Sequence, residues 1–231
     1  MSASTTLPVT RRFEVNQIKT VLFDLDGTLL DTAPDLAFAL NETLKAAGHA
    51  PLPYETIRPV VSHGGAALIE LGFEIDASHP DFENHRQYLL DTYRDNIALH
   101  TRPFEGIETL LETIERRGCN WGVVTNKPAW LTDPLLKQLD LYERAATVIS
   151  GDTLDQRKPH PAPMLHACSE AGSGAEACLY IGDAERDIEA GRNAGMQTLV
   201  ALFGYIGNEE TPERWGADGM INDPLEAVAW F

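Results

Sequence analysis

Residues 20–32 read Thr-Val-Leu-Phe-Asp-Leu-Asp-Gly-Thr-Leu-Leu-Asp-Thr. A short β-rich apolar run at 20–24, TVLFD, ends on the first of two carboxylates two positions apart, Asp24 and Asp26. An apolar run without alternation suits a strand buried on both faces of a parallel sheet. Ligands of open α/β sheets bind beyond the carboxyl ends of the strands, which is where this spacing puts Asp24 and Asp26. Gly27 permits the tight turn that follows. An Asp-Gly turn at a strand end is commonplace and carries no function by itself. The whole string 24–32, DLDGTLLDT, outweighs that plain reading.

Working outward, similar runs recur at 121–125 (WGVVT), 147–150 (TVIS), 178–183 (CLYIGD) and 198–202 (TLVAL), with 219–222 (GMIN) as a short edge strand. They alternate with helix-like stretches, the pattern of an α/β fold: a Rossmann-like, doubly wound parallel sheet with crossover helices. Between the first two strands lie roughly 95 residues, far more than one crossover needs. Residues 34–102 therefore read as an inserted all-helical subdomain, with apolar spacing in Leu36, Leu40 and Leu44 and in Tyr88, Leu89 and Tyr93. Loops near 33–34 and 102–103 bound it, leaving 17–33 and 103–231 as the core and 1–16 as a solvated tail. Trp215 and Trp230 read as packing residues.

The 231 residues carry 43% hydrophobic side chains, enough for a packed core, and a formal net charge of −17. That charge repels nucleic acid and anionic membranes and argues against both as partners. No apolar run approaches the roughly 18 residues that span a bilayer. The first 20 residues lack the apolar middle of a signal peptide, so a cytoplasmic location is expected. Cys119, Cys168 and Cys178 form no CxxC pair and read as small buried hydrophobes. The apolar patterns allow a monomer or a homodimer. An anionic ligand would need a cation and local basic residues to invert the field at its site.

Three further strings bear polar chemistry. Thr125-Asn126 ends the second run, where a hydroxyl and N–H groups suit a phosphoryl oxygen; the plain alternative is a helix N-cap. Lys158, in Arg157-Lys158-Pro159-His160-Pro161, is a point charge suited to phosphate. Gly182-Asp183-Ala184-Glu185-Arg186-Asp187 opens a helix at a strand end, where Asp183 reads equally well as a cap and Asp187 as a first-turn carboxylate. In the insertion, Ser62-His63-Gly64-Gly65 places polar groups on what reads as a flexible turn able to touch a ligand. Arg58, Arg86, Arg94 and Arg102 are further contact candidates, each set against a solvated helix face.

Taken in order, the four strings resemble the haloacid dehalogenase superfamily in its phosphoglycolate-phosphatase-like branch, over residues 18–225. The resemblance implies a phosphomonoesterase acting on a small phosphorylated metabolite, with the insertion as its helical cap. Asp24 would be the nucleophile, forming an aspartyl-phosphate, and Asp26 the acid–base group. Mg²⁺ would be held by Asp24, the backbone carbonyl of Asp26 and Asp183, with Asp187 behind them orienting Lys158 or a metal water. Thr125, Asn126 and Lys158 would bind the phosphoryl group. Transport ATPases of the superfamily carry Thr two residues after the nucleophile, and its dehalogenases lack a carboxylate there; Asp26 suits a phosphatase or a phosphomutase. The strings 121–128 (WGVVTNKP), 204–206 (GYI) and 215–218 (WGAD) resemble a sub-branch containing phosphatases of N-acetylmuramic acid 6-phosphate. The run 62–72 holds no Arg or Lys, and its paired glycines leave room for a sugar, which favours the amino-sugar phosphate over 2-phosphoglycolate. A phosphomutase and a non-catalytic binding module are the other readings.

Overall fold

The computed structural model of the protein describes residues 18–231; the tail expected at 1–16 lies outside them. In chain order the strands are β1 (Thr20–Phe23), β2 (Leu30–Asp31), β3 (Arg102–Pro103), β4 (Asn120–Val124), β5 (Val148–Ile149), β6 (Cys178–Gly182), β7 (Gln197–Ala201) and β8 (Gly219–Ile221). Six of them form one sheet in the order β5-β4-β1-β6-β7-β8, every pairing parallel. From β1 the chain builds first toward β4 and β5, then returns to the other side for β6, β7 and β8, so β1 lies at the switch point of the sheet. Each of the six ends one residue short of the apolar run read from the sequence. The chain leaves the sheet there to feed its crossover, so Asp24, Thr125 and Asp183 stand on the turns just beyond the strands.

The helices are α1 (Ala33–Ala46), α2 (Tyr54–Ile57), α3 (Gly64–Phe73), α4 (Phe82–Asp95), α5 (Ile107–Arg116), α6 (Ala129–Gln138), α7 (Ala162–Glu170) and α8 (Glu185–Ala194). Alternation along the strands decides what each sheet face meets. Val21, Phe23, Trp121, Val123, Leu179 and Ile181 pack against Leu110, Leu111 and Ile114 of α5 and Leu135 and Leu136 of α6. Leu22, Val124 and Tyr180 face the other way, onto Met164, Ala167 and Cys168 of α7 and Ala190 of α8. The result is a three-layer α/β fold in which each fully buried Leu, Val or Phe contributes about 1.5–3 kcal/mol. Cys168 and Cys178 sit in the second of these layers with their sulfurs 3.2 Å apart, unbridged, and Cys119 is half-buried. Trp215 is buried, and Trp230 packs on the α5 side of the core.

The helices α1–α4 gather around a separate apolar cluster that includes Leu36, Leu40, Leu44, Leu89 and Tyr93. Tyr88 does not join it: half exposed, it sits one residue off the Leu89–Tyr93 face, where four-residue spacing puts two side chains on the same side of a helix. Where loops were expected, the chain leaves and re-enters the core through a two-stranded antiparallel ribbon, with Leu30 opposite Pro103 and Asp31 opposite Arg102.

Candidate active site

Beyond the carboxyl ends of β1, β4 and β6, three separately encoded turns meet. Asp24 follows β1 and is buried, its N–H donating to the Ile181 carbonyl at 2.9 Å. Lys158 reaches it from a distant loop: its Nζ lies 2.8 Å from Asp24 Oδ1 and 2.7 Å from Asp187 Oδ1, and it donates to the Tyr180 hydroxyl at 2.8 Å. Those three partners match the three N–H groups of an ammonium. Burial would lower the Lys158 pKa, but Asp187 and Asp24 overcome it and hold the group above its ordinary value.

Asn126 holds Lys158 in place: its amide donates to the Lys158 carbonyl and accepts from the Lys158 N–H, each at 3.0 Å. The side chain expected on a phosphoryl group thus serves as a bracket for the lysine loop. Thr125 is buried, and its hydroxyl oxygen accepts the Lys127 N–H at 3.2 Å. It is not a helix cap, because α6 begins at Ala129 with Pro128 before it.

Asp183 does not cap α8 either; the cap position is Ala184, whose N–H donates to Asp187 Oδ2 at 3.1 Å. Asp183 Oδ2 accepts from the Ser62 hydroxyl at 2.7 Å and from the Tyr205 N–H at 2.8 Å. One oxygen each of Asp24, Asp183 and Asp187 lie within 4.8 Å of one another, all three residues buried. Burial, with Asp24 and Asp187 adding repulsion, pushes the Asp183 pKa up to about 7. Such a cluster suits a hard cation with oxygen ligands. Ser62 shows where that cation would fit, since its hydroxyl also donates to the Asp26 carbonyl at 3.3 Å. The Asp26 carbonyl and the Asp183 carboxylate therefore face a common point. Asp187 already engages Lys158 and the α8 cap with its two oxygens. Gly27 and Gly204 make the cradle: a Cβ on either would fall 2.1 Å from Asp183 Oδ2 or 2.3 Å from Asp183 Cβ.

Asp26 Oδ1 accepts from the Thr32 hydroxyl and from Lys127 Nζ, each at 2.6 Å. The Lys127 ammonium lies 4.6 Å from the centroid of the Tyr93 ring, so it joins α4 to the turn after β1. In front of these groups opens a cavity of about 670 Å³, lined by Asp24, Asp26, Thr125, Asn126 and Lys158 from the sheet side and by Ser62, His63, Gly64 and Gly65 from the helical insertion. Five cations, Arg86, Lys127, Arg157, Lys158 and Arg186, line the same cavity beside Asp24, Asp26 and Asp152, so its lining is richer in positive than in negative side chains.

A family model described as haloacid dehalogenase-like hydrolase matches residues 21–201. The chain belongs to that family. A hydrolase relative, the N-acetylmuramic acid 6-phosphate phosphatase of Pseudomonas aeruginosa, is 42% identical over 213 residues, 92% of this chain and 94% of the relative. A phosphoglycolate phosphatase of Xylella fastidiosa is 43% identical over 212 residues, 89% of this chain and 90% of the relative. The crystal structure of a predicted phosphoglycolate phosphatase from Haemophilus somnus superposes with a TM-score of 0.82 at 26% identity, covering 92% of this chain and 97% of that one.

Against this haloacid dehalogenase-like frame, several residues of the site were not picked out in the sequence. Lys127 stands two positions beyond Thr125, and a lysine between Asn and Pro straight after a strand is the signal that would have found it. Arg186 lies inside the quoted 182–187 string; its guanidinium donates to the Ser62 carbonyl and so ties the insertion to α8. Tyr205 donates its hydroxyl to Asp31 at 2.6 Å and accepts from the Ala33 N–H at 2.9 Å, bracing the exit into the insertion. Arg58 is not on a solvated face: it stacks over the Tyr205 ring at 4.8 Å and donates to the Phe203 carbonyl. Arg94 pairs at the surface with Asp91 and Asp95, and Arg102 donates to its own backbone neighbourhood, the carbonyls of Ala98 and Thr101.

The Ser62–Gly65 stretch is not a loose turn. Ser62 and His63 end a 3₁₀ helix, Arg58–His63, and Gly64 begins α3. Only one of the paired glycines leaves room. A Cβ on Gly64 would meet nothing within 4 Å, whereas one on Gly65 would meet Leu90 Cδ2 at 3.2 Å, so Gly65 serves the packing of α3 on α4.

Proposed function

We propose that the chain is a Mg²⁺-dependent phosphomonoesterase whose substrate is N-acetylmuramic acid 6-phosphate. The observation that carries the phosphatase reading is Asp24, buried beyond β1, with Lys158 on one oxygen and two more carboxylates beside it. Asp24 attacks phosphorus; the bond from phosphorus to the leaving oxygen breaks, and Asp26 gives that oxygen a proton. Asp26 then takes a proton from the water that attacks the aspartyl-phosphate, releasing phosphate and regenerating Asp24. Lys158 and Thr125 hold the transferring group by charge and by hydroxyl. Mg²⁺, held by Asp24, the Asp26 carbonyl and Asp183, supplies charge neutralisation for the phosphoryl oxygens when bound. Asp187 positions Lys158. The insertion, 34–102, acts as the cap that selects the leaving group and excludes water.

The preference for the amino sugar rests on size and on relatives. A cavity of about 670 Å³ is far larger than a two-carbon acid needs and falls in the range of pockets for larger metabolites. Gly64 opens toward it, and Arg86, the cationic side chain that α4 brings to it, is paired with Glu83 at 2.8 Å. The phosphoglycolate phosphatases among the relatives make 2-phosphoglycolate the second reading. Phosphate release from a panel of phosphomonoesters with Mg²⁺ tests the proposal: release is expected, with kcat/KM highest for N-acetylmuramic acid 6-phosphate. Isomerisation without release would indicate a phosphomutase, no reaction a binding module, and a clear preference for 2-phosphoglycolate would overturn the substrate alone.

A further inference from the structure

Of the five cationic side chains that line the cavity, four are already engaged. Lys158 is held between Asp24 and Asp187, and Lys127 lies 2.6 Å from Asp26. Arg86 is paired with Glu83 through Nε and a terminal nitrogen, and Arg186 donates to the Ser62 carbonyl. The fifth is Arg157. Its side chain is exposed and makes no ion pair or hydrogen bond among the described residues. A carboxylate of its own loop, Asp152, also lines the cavity, but it accepts the Ala129 N–H at 2.8 Å and does not pair with the arginine.

Arg157 nevertheless stands on fixed backbone. The N–H and the carbonyl of Lys158, the next residue, are both tied to the Asn126 amide at 3.0 Å, and the Arg157 carbonyl accepts the His160 N–H at 2.9 Å. A side chain presented by anchored backbone binds without the cost of ordering its loop. The two neighbours differ in depth: Lys158 runs inward and is buried against Asp24, whereas Arg157 stays at the solvent end of the same cavity. A molecule that engages both therefore carries two anionic groups set apart from one another. A guanidinium fits a carboxylate through two parallel N–H groups and sheds water more readily than an ammonium. In 2-phosphoglycolate the carboxylate lies one carbon from the phosphate oxygen; in N-acetylmuramic acid 6-phosphate it hangs from another part of the sugar ring.

We infer that Arg157 is a specificity residue that binds the carboxylate of a sugar-acid leaving group at the outer end of the cavity. This rests on the phosphatase reading above and adds to it the group that tells the acid from a neutral sugar. Arg157 belongs to the exposed rim of the cavity and not to its buried wall, although the core supplies it.

The experiment replaces Arg157 by Gln, which removes the charge from an exposed position, and compares two substrates. One is N-acetylmuramic acid 6-phosphate; the other is N-acetylglucosamine 6-phosphate, the same sugar phosphate without the carboxylate-bearing lactyl group. The wild-type protein should prefer the acid, and Arg157→Gln should cut that preference about three- to tenfold, chiefly through KM, as expected for a charge-assisted contact that stays partly in water. Added salt should shrink the wild-type preference and leave that of the variant nearly unmoved, because an exposed charge is screened and a removed one is not. No preference in wild type, an unchanged preference in the variant, or an equal loss on both sugars would each overturn the assignment. Hydrolysis of p-nitrophenyl phosphate by the wild-type protein reports on the phosphatase reading alone. Calorimetric binding of N-acetylmuramic acid against N-acetylglucosamine, to wild type and Arg157→Gln, tests the subsite even in a protein that releases no phosphate. Weaker binding of the acid alone by the variant supports it, and equal binding of the acid by the two proteins overturns it.

Discussion

On the sheet side of the cavity Lys158 is held by Asp24, Asp187 and Tyr180, and Asp183 accepts from Ser62 and Tyr205; on the helical side the His63 side chain is 42% exposed, 3.8 Å from Glu210, and Arg86 is paired only with Glu83 on its own helix. The sheet side carries charges that are buried, paired and bracketed by backbone, which fixes their geometry in advance of any ligand. The helical side offers groups that are more exposed and more loosely held. Chemistry common to every phosphomonoester needs the first kind of wall, and selection of one leaving group needs the second.

If the comparison is sound, damage to the sheet side should reach every substrate. Asp24→Asn is nearly isosteric and should leave the fold intact while lowering turnover at least about a thousandfold on all phosphomonoesters; turnover near wild type would break the assignment of Asp24. Lys158→Met should act on stability as well, because Asp24 and Asp187 would be left buried without a counter-charge. A loss of about 3–5 kcal/mol is expected in denaturant unfolding, and a loss below about 1 kcal/mol would mean the three groups are less dependent on one another than their distances imply.

The third test uses protons. The Asp183 pKa is raised from 3.8 to about 7 by burial and by Asp24 and Asp187, so the folded metal-free protein favours its neutral form. Its contribution to metal-free stability is therefore fully present at low pH and declines as pH rises from about 4 toward 7. A bound cation requires the ionised form, so Mg²⁺ should raise the melting temperature more at about pH 8 than at about pH 5.5. Equal shifts at both pH values, read by scanning fluorimetry, would remove Asp183 from the metal site. The smallest effects come from a pair of glycines. Gly27, at φ +85°, would bring a Cβ to 2.1 Å from Asp183 Oδ2, so Gly27→Ala should cost more than about 1 kcal/mol and disturb activity. Gly65→Ala meets only the movable tip of Leu90 and should stay within about 1 kcal/mol of wild type. Equal costs for the two would erase the contrast between the walls.

Much of the frame can be read from local pattern. Short apolar runs at 20–24, 121–125, 178–183 and 198–202 announce parallel strands, because a strand buried on both faces needs a side chain that packs at every position. The turns after three of them carry Asp24, Thr125 and Asp183, and a parallel sheet brings its carboxyl ends to one edge whatever the connecting helices contain. Strand polarity alone thus gathers the core of the candidate site. What escaped the reading depends on contacts between distant segments. Asn126 brackets Lys158 across 32 residues, Lys127 meets Asp26 across 101, and Ser62 meets Asp183 across 121. No periodicity records such pairings, since each is set by how segments far apart in the chain pack together. The same holds for the glycines, which looked alike in the sequence until Leu90 filled the space beside one of them. The chain's own order of residues determined the sheet, its edge and the carboxylates along it, because those follow from backbone polarity and burial. The tertiary structure decided which polar groups satisfy one another, because each such pairing depends on how distant segments pack.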